Sequence, residues 1–186
     1  MAYLQILNYN QFTRDNQNKT TRMNAKLNPT RNDLPEKARR LMIDLLNQHL
    51  ADAIDLGVQA KHAHWNVKGP NFIALHELFD KVADELKEFS DEIAERAVAL
   101  GGFALGTIQV VSKNTRLAAY PLDLKSGERH VAALSNALAK FGTSVRAAID
   151  TANASDDADT ADLFTQVSRA VDKLLWQIEA HAQLDD

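Results

Sequence analysis

A chain of 186 residues, 45% apolar and 25% charged, is long enough to bury one core of ordinary size without a disulfide or structural metal. It contains no cysteine, which excludes thiolate zinc sites, iron–sulfur clusters and cysteine nucleophiles, so any metal must be held by nitrogen and oxygen. The formal net charge of −4 hides an asymmetry, because residues 1–32 carry Arg14, Lys19, Arg22, Lys26 and Arg31 against Asp15 alone, making that segment +4 and the remainder −8.

Residues 1–32 are also rich in Asn, Gln and Thr and lack apolar periodicity, a composition that does not repay its own ordering entropy; they read as a flexible, mildly basic tail. Residues 33–186 form the folded domain. Leu41, Met42, Leu45, Leu46, His49, Leu50, Ala53 and Ile54 recur at helical steps, which predicts a first helix from about Leu34 to about Trp65 with Asp33 and Glu36 as a capping box. Gly69-Pro70 breaks the pattern. Phe72, Leu75, Phe79, Val82, Leu86, Phe89, Ile93, Ala97 and Leu100 then build a second helix that stops at Gly101-Gly102.

Residues 101–123 mix Gly, Thr, Asn and Pro121 with short apolar runs and predict a crossover carrying one short helix. Val131, Leu134, Leu138, Phe141 and Val145 mark a third helix to about Ile149. Leu163, Phe164, Val167, Val171, Leu174, Leu175 and Ile178 mark a fourth, after the turn-rich stretch 153–159. Four long helices with one long crossover between the second and third describe an all-α, ferritin-like four-helix bundle. No apolar run is long enough to span a bilayer and the N-terminus lacks a signal-peptide pattern, so the expectation is a soluble, cytoplasmic protein with no membrane partner.

The second helix carries the chemistry. With His76 at zero and about 100° per residue, Asp80, Asp91 and Glu95 fall at about 40°, 60° and 100°, while Phe79, Val82, Leu86, Phe89 and Ile93 fall between about 220° and 300°. Asp84 and Glu88 extend the polar stripe. A charged face is ordinarily a solvated one, with Glu77–Lys81 and Glu92–Arg96 as simple i, i+4 pairs. Imidazoles and carboxylates on one face are also the donors that bind a divalent metal such as Fe(II). Asp80 and Asp91 lie roughly 16 Å apart along the helix, so one ion cannot reach both within a chain. Joining the His76–Asp80 pair to the Asp91–Glu95 pair requires a second, antiparallel copy of the helix, and His64, at the end of the first helix, reaches the His76 end. The Glu-x-x-His ligands of bundle-core di-metal proteins are absent, because no glutamate has a histidine three positions on. His49 falls in an apolar stripe and reads as a core residue, His62 fits either role, and His130 and His181 read as surface residues.

The run HWNVKGPNFIALHELFD, from His64 to Asp80, and DEIAERAVALGG, from Asp91 to Gly102, closely resemble the Dps family of ferritin-like mini-ferritins. Tyr120-Pro121-Leu122-Asp123 and the segments 159–162 and 172–179 fit the same family. The resemblance implies a dodecameric shell in which His64, His76 and Asp80 of one chain join Asp91 and Glu95 of its partner, with Trp65 beside the site to intercept oxidising equivalents. It implies oxidation of Fe(II), preferably by hydrogen peroxide, two irons per site, no organic cofactor and storage of Fe(III) oxyhydroxide in the cavity. Iron would enter through acidic pores, with Asp157 and Asp162 as the expected lining and Asp156 and Asp159 competing; all four also suit the start of a helix. Some relatives bind DNA through basic tails, which here would engage Arg14, Lys19, Arg22, Lys26 and Arg31 and place the protein at the nucleoid. Leu4, Ile6, Leu7, Tyr9 and Phe12 suit the opposite arrangement, a tail packed on the shell. The alternative function is a DNA-condensing protein with little oxidase activity.

Overall fold

Amphipathic periodicity alone would close a bundle, and the computed structural model, which describes residues 26–182, shows how. Helix α1 spans Glu36–Asn66 and α2 spans Phe72–Ala99; a short α3, Ile108–Asn114, lies in the crossover before α4, Gly127–Asn153, and α5, Ala158–Glu179. The core is the set of stripes read from the sequence: Met42, Leu46 and Leu56 of α1, Phe79, Leu86 and Ile93 of α2, Leu134, Leu138 and Phe141 of α4, and Phe164 and Leu174 of α5 are all but inaccessible. Among the described residues there is no strand, only one parallel bridge between Lys68 and Ser126, and no helix is long and apolar enough to cross a membrane. Arg14, Lys19 and Arg22 lie outside the described residues; Lys26 and Arg31 are exposed.

The capping box at Asp33 does not form. Pro35 is the N-cap with no side-chain hydrogen bond, and Asn32 instead accepts the Leu34 N–H at 3.0 Å. Proline biases the residue before it towards extended backbone, which delays the helix to Glu36. At the other end of the hairpin Gly101 (φ 90°) and Gly102 form a Schellman cap, with Gly101 N–H donating to Val98 O at 2.9 Å and Gly102 N–H to Ala97 O at 3.0 Å. A Cβ on Gly102 would stand 2.6 Å from the Ile43 side chain, so glycine is needed there for close packing as well as for the cap.

The crossover is pinned by buried charge. Asp52, 1% exposed, accepts from the Arg116 backbone at 2.8 Å and from its guanidinium at 2.9 and 2.5 Å. His49 is the satisfied core residue expected: Nδ1 donates to Leu45 O at 2.8 Å, and its ring meets Phe164 edge-on at 4.9 Å. Burial, with Arg116 adding to it, lowers its proton affinity against the opposing pull of Leu45 and Ser144. His130 corrects the surface reading, since it is fully buried. It lies four residues before Leu134 and eight before Leu138, on the inward face of α4, which begins at Gly127, earlier than the apolar stripe marked.

Candidate metal centre

The short turn between α1 and α2 brings the last turn of one helix against the first turns of the other, and His64 and His76 meet there. Their rings stack at 3.7 Å between centroids and 20° between planes. His64 Nδ1 lies 2.7 Å from His76 O, and His76 Nδ1 lies 2.9 Å from His64 O. A carbonyl only accepts, so each Nδ1 must carry the proton. In the neutral ring each Nε2 is thereby left with a lone pair, the state a metal-ligating imidazole requires. The exchange also fixes both ring orientations. Phe72 lies 5.0 Å from His76, while Trp65, adjacent to His64, is 67% exposed.

Asp80, one turn beyond His76, stands 3.9 Å from His64 Nδ1 and is ion-paired with Lys61 of α1, a residue not singled out from the sequence. The Lys61 hydrogen bond holds the Asp80 carboxyl below its ordinary range, with the Coulomb pull of His64 adding to it. Lys61 precedes His64 by three residues on the same helix face, which places it beside His64 but does not point to Asp80 on the other helix.

Asp91 and Glu95 lie on the same helix, exposed, and make no hydrogen bond or ion pair among the described residues. Within one chain the described residues contain no group of three His, Asp or Glu side chains able to hold an ion. The donors present fit Fe(II) as substrate: two oriented imidazole nitrogens and hard carboxylate oxygens. The two ordinary pairs expected along α2 are replaced. Lys81 lies 3.8 Å from Glu85, and Arg96 turns to Asp157 at 2.6 Å, because a buried carboxylate draws the nearest cation.

Asp157 is 2% exposed and caps α5, accepting from Thr160 N at 3.0 Å and Thr160 Oγ1 at 2.6 Å. Its carboxylate is a helix cap and ion-pair partner inside the protomer. Asp162, Asp159 and Asp156 remain exposed at the same corner. His62, Tyr120 and the buried His130 form a further group behind the half-site. Burial pushes the Tyr120 phenol well above its ordinary range; burial also lowers His130, against the pull of the Leu124 backbone and with His62 adding to the lowering.

Residues 43–186 match the model of the ferritin-like domain. The chain is 48% identical over 158 residues to the DNA protection during starvation protein of Agrobacterium fabrum, covering 85% of this chain and 98% of that protein. It is 31% identical to the protein of that name from Mycolicibacterium smegmatis, over 81% of each chain. Among solved structures, DpsC from Streptomyces coelicolor superposes with a TM-score of 0.83 at 28% identity, over 87% of this chain and 94% of that one. Dps of Mycobacterium smegmatis in its tetragonal form gives a TM-score of 0.79 at 29% identity, over 86% and 96%.

Proposed function

Because the chain belongs to the Dps family of ferritin-like proteins, we propose that it is a ferroxidase and iron-storage protein whose catalytic site is shared between two chains. The observation that carries this reading is the reciprocal pair of hydrogen bonds between His64 and His76, which leaves both Nε2 lone pairs unused, with the Asp80 carboxylate 3.9 Å from His64 Nδ1. Asp91 and Glu95 of a two-fold partner complete the set, and a closed shell of twelve chains supplies the cavity for Fe(III).

In this reading two Fe(II) ions are bound side by side and give one electron each to hydrogen peroxide, so that both oxygens leave as water and no hydroxyl radical escapes. His64 and His76 bind Fe(II) as neutral donors. Asp80, Asp91 and Glu95 favour the product, since hard anionic oxygens stabilise Fe(III) over Fe(II). Asp162 and Asp159 are the exposed acids that would draw cations to an entry pore. The test is stopped-flow consumption of peroxide in the presence of Fe(II). The double variant His76→Ala, Asp80→Ala is expected to slow it by about 100-fold, and rates equal to wild type would remove the assigned site.

DNA protection is a second role, supported by the names of the relatives and by the +4 charge of residues 1–32. Gel retardation with and without that segment over a salt series tests it; the full chain should lose binding steeply with salt, and the truncated one should not bind.

A further inference from the structure

Behind the metal half-site lies a cluster that the reaction above leaves unused. Tyr120, from the crossover, places its hydroxyl 2.7 Å from Nδ1 of the wholly buried His130. The two rings lie 6.0 Å apart and nearly parallel, at 18°, and the Tyr120 ring stands 5.3 Å from His62. The Nε2 atoms of His62 and His130 are both buried with no hydrogen-bond partner among the described residues. With the His130 proton on Nε2, the hydroxyl donates and Nδ1 accepts. His62 precedes His64 by two residues, on nearly the opposite side of the same helical turn, which sets the cluster about one helix width, ~10 Å, behind the half-site.

Loss of an electron turns a phenol into a strong acid, and a tyrosine can be oxidised readily only where a base receives that proton. For Tyr120 the base within hydrogen-bond reach is His130. Trp65 offers a contrasting electron donor: its indole is 67% exposed, so an oxidised Trp65 faces solvent, whereas Tyr120 is only partly exposed.

We propose that Tyr120 and His130 form an internal redox relay that consumes the one-electron oxidant left when peroxide meets a site holding a single Fe(II). The inference rests on the ferroxidase reading. One Fe(II) gives one electron to peroxide, the O–O bond breaks, and hydroxide and a hydroxyl-radical equivalent result. Tyr120 supplies the second electron and passes its phenol proton to His130 Nδ1. The radical equivalent becomes hydroxide, and both hydroxides take protons from solvent to leave as water. The next Fe(II) to arrive reduces the tyrosyl radical, and the proton returns from His130 to the phenol. The sum is two Fe(II) oxidised to Fe(III), with one peroxide and two protons converted to two waters.

The experiment is freeze-quench electron paramagnetic resonance on the full-length protein, loaded anaerobically with one Fe(II) per site and mixed with one equivalent of peroxide. Wild type should give a tyrosyl signal that Tyr120→Phe reduces at least fivefold, the tail tyrosines Tyr3 and Tyr9 remaining as internal controls. A spin trap should collect at least threefold more hydroxyl adduct from Tyr120→Phe, while peroxide consumption at two Fe(II) per site stays as in wild type. In His130→Phe the largest g value of any remaining tyrosyl signal should rise, because the imidazole hydrogen bond that depresses it is gone; a purely structural role would leave it unmoved. Peroxide consumption without a tyrosyl signal, or an undiminished signal in Tyr120→Phe, overturns the relay and leaves the ferroxidase reading standing. Failure of wild type to consume peroxide with Fe(II) overturns both.

Discussion

The two ends of α2 carry the two halves of the proposed donor set, yet they are prepared differently. At the N-terminal end His76 is fixed by His64, and Asp80 is held by Lys61, so every donor has a partner that orients it. About three turns beyond Asp80, Asp91 and Glu95 stand exposed with nothing to orient them among the described residues, although Arg96 beside them is bound to Asp157. A rigid, nitrogen-rich half and a loose, carboxylate half suit a site closed by symmetry. The half proposed to select the metal is preorganised, and the half proposed to meet the partner keeps its rotamer freedom.

Mixing variants breaks or sharpens this contrast most severely. Chains carrying His76→Ala, Asp80→Ala and chains carrying Asp91→Ala, Glu95→Ala should each be inactive, but dissociated and reassembled together they should recover about a quarter of the wild-type rate, because half the two-fold pairs are mixed and each mixed pair has one intact site of two. No recovery would mean that the two ends of α2 never meet. Next in size, Arg96→Ala leaves the Asp157 carboxylate buried without its cation and should cost about 3–5 kcal/mol in urea unfolding. A loss near zero would show that the distal end of α2 is no more anchored than its exposed acids.

A smaller effect separates the core histidines from the pair at the site. His49 and His130 have folded proton affinities below their unfolded ones. Their contribution to stability is therefore complete above the unfolded value of about 6.5 and is lost as pH falls through the folded value, each at up to about 1.4 kcal/mol per pH unit. Unfolding free energy should be flat from pH 8 to 7 and decline below 6.5; no decline would show that neither is held neutral. The smallest change is expected from Lys61→Gln, which frees Asp80 from an exposed ion pair. Zn(II) affinity measured by calorimetry should tighten about two- to fivefold, and unchanged affinity would show that Lys61 does not compete with metal.

The four long helices and their stops were legible because burial follows helical period: Phe79 to Ile93 lie where arithmetic on one helix puts them. The same arithmetic exposed the ligand stripe of α2 and the gap between its ends. It could not show Lys61 beside Asp80 or Arg96 beside Asp157, since both pairs join different helices, and for Arg96 the i, i+4 partner Glu92 masked the alternative. His130 was misread from its polarity although its spacing to Leu134 matched the core, and Tyr120 sits in a crossover without period, where no pattern points inward. The cap at Asp33 failed for a local reason, the backbone restriction of Pro35.

The hydrogen bonds between His64 and His76 join residues only 12 apart, whereas the Asp52–Arg116 anchor of the crossover joins residues 64 apart. Contacts of short sequence separation close small loops, lose little chain entropy and form early; the crossover waits for a much longer closure. Since synthesis runs from the N-terminus, the α1–α2 hairpin can dock while α4 and α5 do not yet exist. The proposed metal half-site can thus be laid down as a folding event of the first half of the chain, ahead of the bundle that supports it and ahead of the proposed meeting between chains.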